Sequence, residues 1–290
     1  MIDRELNLFE YEYRQYYLEG ESKGMEIGRP FLLHQHTAKH GILLIHGLMA
    51  APEEVRELAE FLFTMGYTVY AVRMAGHGTS AADLATRQAD DWIASVNRGH
   101  EILKACCEKI SIAGFSTGAS VALYQTISKP KDFDSLICIS APLKFKKLST
   151  YLAEPVHRWN QASHCWDESF LGQFVKTAIF RKEFAVNHAD NPHINYLRCP
   201  VNSIVEIKKL MSKVSDSIDY ITLPTLVIHG THDPKVDVTS SRQLFALIQA
   251  NQKHYKEVDH HLHGIIRGDI ALTVFSEVQC FLNQYCPLKR

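Results

Sequence analysis

Residues 109–128 read Lys109-Ile-Ser-Ile-Ala-Gly-Phe-Ser116-Thr-Gly-Ala-Ser-Val-Ala-Leu-Tyr-Gln-Thr-Ile-Ser128. Ile110 and Ile112 alternate with small residues, a pattern typical of a short buried strand, and from Ala119 onward the apolar residues take helical spacing. A Gly-x-Ser-x-Gly motif lies between the two patterns. We therefore predict a strand, a very tight turn and a helix within these twenty residues.

The motif has a chemical interpretation and a purely structural one. In a nucleophile elbow, the turn strains the central Ser116 and exposes its hydroxyl, and the N–H of Thr117 points at a developing oxyanion. The same pattern arises by chance in about one chain in ten of this length, so an ordinary glycine–serine turn is the alternative. The context along the rest of the chain decides between them.

That context is a repeated strand–helix–strand rhythm, which predicts a parallel sheet in an α/β fold. Short apolar runs predict strands, and segments with helical spacing predict helices. The predicted strands are 31–36, 41–46, 67–72, 109–115, 133–140, 223–230 and 254–258. The predicted helices follow Pro52 and cover 90–107, 117–128, 238–250 and 269–285.

The rhythm stops between residues 142 and 222, where no clean strand is visible. About eighty residues are too many for a loop, so we expect this insertion to fold as a mostly helical cap. Its aromatic side chains are candidates for the substrate pocket: Trp159, Trp166, Phe170 and Phe174. Residues 31–141 and 223–290 then form the core, and residues 1–30 an N-terminal extension packed on it, whose pattern fits strand and helix equally.

Composition narrows the class of protein. The 290 residues are 46% hydrophobic and 22% charged with a formal net charge of −1, which is ordinary for a globular chain. No basic block suggests a nucleic-acid partner, no apolar run is long enough for a transmembrane segment, and the first residues do not resemble a secretory signal. Seven scattered cysteines without a CxxC motif favour reduced thiols and a cytoplasmic location.

Candidates for an acid and a base follow the elbow along the chain. Asp233 lies in a loop after a predicted strand, and Asp237, four residues later, precedes a helix and is better interpreted as its N-cap. Three histidines within residues 259–265 follow the last strand. His77 lies in a glycine-rich turn and is expected to be structural, because chains with this order of residues place the base last.

Four motifs together carry a resemblance to a known superfamily. They are His46-Gly47-Leu48…Pro52-Glu53-Glu54, Arg73…Gly76-His77-Gly78-Thr79-Ser80, Gly114-Phe115-Ser116-Thr117-Gly118 and Gly230…Asp233-Pro234. With them the chain resembles bacterial carboxylesterases and monoacylglycerol lipases of the α/β-hydrolase superfamily. The resemblance implies an α/β-hydrolase fold, with a mostly parallel central sheet flanked by helices and an inserted cap.

The resemblance also implies roles for residues. Ser116 is the expected nucleophile and Asp233 the expected acid of a catalytic triad, and the backbone N–H groups of Leu48 and Thr117 are the expected oxyanion hole. His263 is favoured as the base over His260 and His261, because the family pattern places Ile or Val two residues after that histidine.

The function expected from these residues is hydrolysis of carboxylic esters through an acyl-serine intermediate, on a small-molecule ester or acyl substrate and without a cofactor. A thioesterase or acyltransferase with the same triad is the alternative, and a non-catalytic binding protein is a third. Ser116 argues against dehalogenases and epoxide hydrolases, which need aspartate at the elbow. No metal site is expected, since His34 and His36 share a strand face without a ligand motif around them.

Overall fold

The computed structural model describes residues 1–143 and 184–288. The strands in this part of the chain are β1 (Phe31–Leu33), β2 (His40–Ile45), β3 (Thr68–Val72), β4 (Lys109–Phe115), β5 (Ser135–Ile139), β6 (Phe184–Val186), β7 (Arg198–Pro200), β8 (Thr225–Gly230) and β9 (Lys253–Val258). The helices are α1 (Ile2–Tyr16), α2 (Met25–Gly28), α3 (Arg56–Thr64), α4 (Ala81–Ala85), α5 (Ala89–Lys104), α6 (Thr117–Ser128), α7 (Val201–Ser215), α8 (Val238–Leu247) and α9 (Ala271–Tyr285). Short 3-10 turns cover Pro52–Val55 and Ile218–Tyr220.

Seven strands form one sheet in the order β1-β3-β2-β4-β5-β8-β9. Every neighbouring pair is parallel except β1 with β3, which is antiparallel and lies at one edge. The mostly parallel sheet predicted from the strand–helix–strand rhythm is therefore confirmed. Parallel strands need helical crossovers, and these cover both faces of the sheet.

Strand β2 shows how the sequence divides the core between the two faces. Leu43 and Ile45 belong to one apolar cluster, which also contains Trp92 of α5, while Ile42 and Leu44 belong to the other. All six residues of β2 are buried because helices cover the sheet on both sides. This double burial explains why the strand reads as a continuous apolar run.

The N-terminal extension and the described end of the insertion contain elements that the sequence pattern did not predict. The N-terminal extension contains a fifteen-residue helix, α1, which buries Phe9 completely. The expectation that the insertion lacks strands is wrong, because β6 and β7 form an antiparallel two-stranded sheet. Each has three residues, and Pro200 ends β7, so neither shows a strand's alternating pattern. The named aromatic residues of the cap, Trp159, Trp166, Phe170 and Phe174, lie outside the described residues.

The parallel arrangement brings the candidate site residues to one edge of the sheet. Leu48 follows β2, Ser116 follows β4, Asp233 follows β8 and His263 follows β9, each within five residues of the strand's carboxyl end. Carboxyl ends of parallel strands meet at the same edge, where ligands of open α/β sheets bind. Across residues 1–143 and 184–288, no helix is long and apolar enough to cross a membrane.

Candidate active site

Ser116 stands at the turn between β4 and α6 in a conformation that side chains rarely adopt. Its φ is 53° and its ψ is −120°, and its backbone N–H donates to the carbonyl oxygen of Ile139 at 2.8 Å. A Cβ on Gly114 would clash with the carbonyl of Gly118, and a Cβ on Gly118 would clash with the carbonyl of Ile45. Both glycines are therefore required by close backbone packing around the serine.

The structure brings Ser116, His263 and Asp233 into one hydrogen-bonded chain. The Nε2 atom of His263 lies 2.8 Å from Oγ of Ser116, and its Nδ1 atom lies 2.6 Å from Oδ2 of Asp233. The His263 ring is 5.0 Å from the ring of Phe115, which packs beside it. In this arrangement the imidazole can accept the serine proton while the carboxylate holds the ring in place.

Asp233 is fully buried and its charge is held by surrounding donors. Burial alone would raise the pKa of its carboxyl group, but the imidazoles of His229 and His263 and the backbone N–H of Val236 hold that pKa well below its usual value. The backbone N–H groups of Lys235 and Val236 donate to Oδ1 at 2.8 and 3.0 Å. The carboxyl group of Asp233 is therefore ionised throughout the neutral range.

Two of the alternative residues, Asp237 and His261, make other contacts. Asp237 accepts a hydrogen bond from the backbone N–H of Thr239 at 2.9 Å and caps α8, which confirms it as an N-cap. His261 is exposed, and its ring stacks on that of His232 rather than facing Ser116. His77 is buried, and its Nδ1 lies 3.2 Å from the carbonyl oxygen of Ala75, as expected for a structural histidine.

His46 explains why the loop after β2 begins with a His-Gly pair. Its Nε2 accepts a hydrogen bond from the backbone N–H of Met74 at 3.3 Å, so the proton lies on Nδ1, which donates to the carbonyl oxygen of Gly47 at 2.8 Å. Burial lowers the pKa of this imidazole to about 4, which keeps it neutral. The ring fixes the loop that carries Leu48 against the loop after β3.

Leu48 and Thr117 both line the open cavity at Ser116. Beneath Leu48, the backbone N–H of Gly47 donates to Oε2 of Glu54 at 2.7 Å. The carboxyl group of Glu54 is buried, and this burial raises its pKa to about 7 against the opposing effects of the Gly47 N–H, Lys235 and Arg267. Glu54 belongs to the motif His46-Gly47-Leu48…Pro52-Glu53-Glu54, but nothing in that motif indicates that its side chain lines the cavity.

The cavity has a polar and an apolar part, and the described end of the insertion supplies much of both. Its polar side chains are Glu54, Asn187, Asp190, Asn191, Asn195 and Lys235. Its apolar side chains are Leu48, Met49, Phe115, Ile204, Ile207 and Val236. The sequence pattern does not point to the cavity residues of the insertion, because they lie far from Ser116 along the chain. Leu48, Glu54 and Phe115 belong to the quoted motifs, and Lys235 follows Asp233 by two residues.

Asp190 joins the insertion to the loop that carries Asp233 and to the loop that carries His263. Its Oδ2 accepts from the backbone N–H of Gly264 at 2.8 Å, and its Oδ1 lies 3.7 Å from Nζ of Lys235. A second connection runs from the backbone N–H of Tyr196 to the carbonyl oxygen of Met49 at 2.9 Å. The insertion thus contacts the loops of the site directly.

The fold and the geometry of this site define an α/β-hydrolase, and comparison with known families agrees. The sequence profile of the hydrolase family described as "Serine aminopeptidase, S33" matches residues 36–269, so the chain belongs to that family.

Two relatives and one solved structure show how the similarity is distributed. A thermostable monoacylglycerol lipase of Bacillus sp. (strain H-257) is 26% identical over 77% of this chain and 82% of its own length. A carboxylesterase of Bacillus subtilis (strain 168) is 24% identical over 84% of this chain and 92% of its own length. A structure from a study of the metagenome-derived lipolytic enzymes LipS and LipT superposes with a TM-score of 0.73 at 20% identity, covering 92% of this chain and 99% of that one.

Proposed function

We propose that the protein hydrolyses carboxylic esters, with Ser116 as nucleophile, His263 as general base and acid, and Asp233 as the acid of the triad. The observation that carries the proposal is the continuous hydrogen-bonded chain from Ser116 Oγ through both ring nitrogens of His263 to Asp233. The names of the two Bacillus relatives, a monoacylglycerol lipase and a carboxylesterase, support an ester as the substrate.

In the first half of the reaction, Oγ of Ser116 attacks the ester carbonyl carbon while Nε2 of His263 takes the hydroxyl proton. The carbonyl oxygen becomes an oxyanion, for which the backbone N–H groups of Leu48 and Thr117 are the proposed donors. Collapse breaks the carbon–oxygen bond to the alcohol, and the imidazolium returns its proton to the departing alkoxide. The ionised Asp233 stabilises the charged ring during this step.

In the second half, a water molecule attacks the acyl-serine. His263 takes a proton from this water and then returns it to Oγ of Ser116 as the carboxylic acid leaves. The cavity fits a substrate with one polar and one apolar part, because polar side chains such as Asp190 and Lys235 and apolar ones such as Ile204 and Ile207 line it together. A monoacylated or other small ester has this chemistry.

The domain division and the role of the cap also belong to this proposal. We infer that residues 142–222 cover the site and select substrates by chain length. Ile204 and Ile207 of α7 support this inference, since they line the cavity. The four aromatic candidates, Trp159, Trp166, Phe170 and Phe174, remain a prediction for alanine scanning with esters of graded acyl length.

The proposal is tested by replacing Ser116 with alanine. We expect Ser116→Ala to lower turnover of p-nitrophenyl esters by at least about a thousandfold and to abolish labelling by a fluorophosphonate, because the attacking oxygen is gone. Ser120→Ala, in the helix that begins directly after Ser116, is the matched control and should keep both properties, since its buried hydroxyl has no hydrogen-bond partner among the described residues.

A panel of substrates that extends the p-nitrophenyl esters separates the reaction classes. It should include acyl-CoA thioesters and an amino-acid p-nitroanilide, since the matched family is described as a serine aminopeptidase. Faster turnover of a thioester or an anilide than of any ester would contradict the proposed substrate class while leaving the triad intact. Turnover by Ser116→Ala within tenfold of the unmodified protein would contradict the triad itself.

A further inference from the structure

Outside the catalytic cavity, two histidines and one aspartate converge on the protein surface. One ligand atom from each of His232, Asp259 and His261 lies within 4.8 Å of the others. The rings of His232 and His261 are stacked, with their centroids 4.6 Å apart and their planes 7° from parallel. A shared ion therefore requires one of these exposed rings to rotate, so that the nitrogen lone pairs of both rings point at it. Nε2 of His232 lies 3.4 Å from Oδ1 of Asp259. All three side chains are open to solvent.

The backbone holds these three residues in place. The pairing of β8 with β9 continues beyond both strands, because the N–H of Thr231 donates to the carbonyl oxygen of Val258 at 2.9 Å, and that of His232 donates to His260 at 3.1 Å. The hydroxyl of Thr231 also donates to Oδ1 of Asp259 at 3.3 Å. Such an outer hydrogen bond orients a carboxylate toward a metal.

We propose that His232, Asp259 and His261 bind one Zn²⁺ ion and that this ion joins the two loops carrying Asp233 and His263. Two imidazoles and one carboxylate form a ligand set typical of zinc, with water in the remaining position. Mg²⁺ and Ca²⁺ prefer oxygen ligands alone, and only Asp259 offers them a charged one. The ion stands outside the hydrogen-bonded chain of Ser116, and it neither activates water for the ester reaction nor replaces a triad residue.

The expected consequence is stabilisation of the native protein. The ligands come from separate loops that come together only in the folded chain, so zinc binds the native state in preference to the unfolded one and raises the unfolding temperature. Each ligand contributes directly to the coordination. Removing any one of them should therefore weaken zinc binding by at least about tenfold.

The experiment is titration of ZnCl2 into tag-free, metal-stripped protein, followed by calorimetry and thermal unfolding. The unmodified chain should bind zinc at these residues and unfold at a higher temperature with zinc than with MgCl2. The variants His232→Ala, Asp259→Asn and His261→Ala should each show the weakened binding, with far-ultraviolet circular dichroism to verify folding in each case.

A second histidine pair provides a matched control. The rings of His34 and His36 are also 4.6 Å apart, but in the described part of the chain no third ligand joins them. The double variant His34→Ala/His36→Ala should therefore bind zinc as the unmodified chain does. The triple variant His232→Ala/Asp259→Asn/His261→Ala tests the whole site. If its zinc affinity equals that of the unmodified chain, or if the unmodified chain binds no zinc, the proposal is wrong.

Discussion

Ser116 shows how much of the site depends on the conformation of one residue. A positive φ costs a residue with a side chain roughly 1–3 kcal/mol, and such conformations cluster where function requires them. The cost is tolerated because α6 begins at the next residue and β4 ends at the one before. The two flanking glycines allow this approach, since any side chain there would meet backbone atoms.

At the same scale, Asp233 and Asp237 lie four residues apart in different surroundings. Replacement by asparagine should therefore affect activity differently at the two positions. Asp233→Asn should lower kcat for an ester by about 10³–10⁴-fold, because an amide neither holds the required tautomer of His263 nor stabilises its charged form. Asp237→Asn should keep kcat within tenfold and keep the stability of the protein, because asparagine caps a helix as well as aspartate does.

Steady-state kinetics on both variants with one p-nitrophenyl ester provide the measurement. A large loss in Asp237→Asn together with a small loss in Asp233→Asn would mean that the acid has been assigned to the wrong residue.

At the scale of elements, α1 attaches to the core through one buried ion pair, one partly exposed ion pair and the buried ring of Phe9. Glu12 pairs with Arg73, a side chain that is only 4% exposed, and Glu5 pairs with Arg98 at 2.6 Å. Arg73 also donates to the carbonyl oxygen of His77 at 3.2 Å in the turn after β3. The N-terminal helix therefore supports the turn after β3, which is hydrogen-bonded to His46 at the start of the loop that carries Leu48.

The burial of the pair between Glu12 and Arg73 predicts that Glu12→Gln lowers stability more than the same change at an exposed ion pair of the same helix. Glu12→Gln should lower the free energy of unfolding by about 3 kcal/mol, because it leaves the guanidinium of Arg73 buried without its charged partner. Glu10→Gln is the control on the same helix. Its partner Arg29 is 47% exposed, and the loss should stay below about 1 kcal/mol.

Guanidinium denaturation followed by fluorescence measures both changes. Equal losses in the two variants would contradict the larger contribution to stability assigned to the buried pair of Glu12 and Arg73.

On the scale of the whole molecule, the cavity is assembled from segments that are far apart in the chain. Glu54 comes from the loop after β2, Lys235 from the loop after β8, and Asn195 from the insertion, and all three line the cavity. Closing these segments around Glu54 removes its carboxyl group from water. Folding therefore favours the protonated form of this group and couples its ionisation to global stability.

The pKa of Glu54 predicts a dependence of stability on pH. Its ordinary value is 4.5 and its value in the folded protein is about 7, so between these two values the native state binds more protons than the unfolded state. The contribution of Glu54 to the free energy of unfolding is then complete below pH 4.5. As the pH rises from 4.5 to 7, this contribution falls by up to about 1.4 kcal/mol for each pH unit, and above pH 7 it stays constant.

Glu54→Gln removes this dependence while keeping an oxygen that accepts from the N–H of Gly47. Denaturation of both proteins between pH 5 and pH 8 gives the measurement, because the difference between the two curves cancels the other titrating groups. That difference should change up to about pH 7 and then level off. Parallel curves over the whole range would show that Glu54 titrates normally in the folded protein.

The sequence by itself determined the features that depend on residues close together along the chain. The elbow around Ser116, the buried strands and the long insertion were predicted, because apolar spacing and glycine positions within a few residues specify local structure. Asp233 could also be singled out as the candidate acid, since it has one close rival, Asp237, and that rival precedes a helix. The first thirty residues stayed open because their aromatic spacing fits a strand and a helix at once.

Only the tertiary structure decided what depends on contacts between distant segments. Residue spacing left three histidines after the last strand, and the family pattern favoured His263; the fold then put its ring within hydrogen-bond distance of Ser116. Tertiary packing likewise buried Glu54, joined Asp190 to Gly264 and gathered His232 with His261. Such contacts follow from the order of strands in the sheet and from the path of each loop. The physical reason is that a side chain's neighbours across a fold leave no periodic signal in its own sequence.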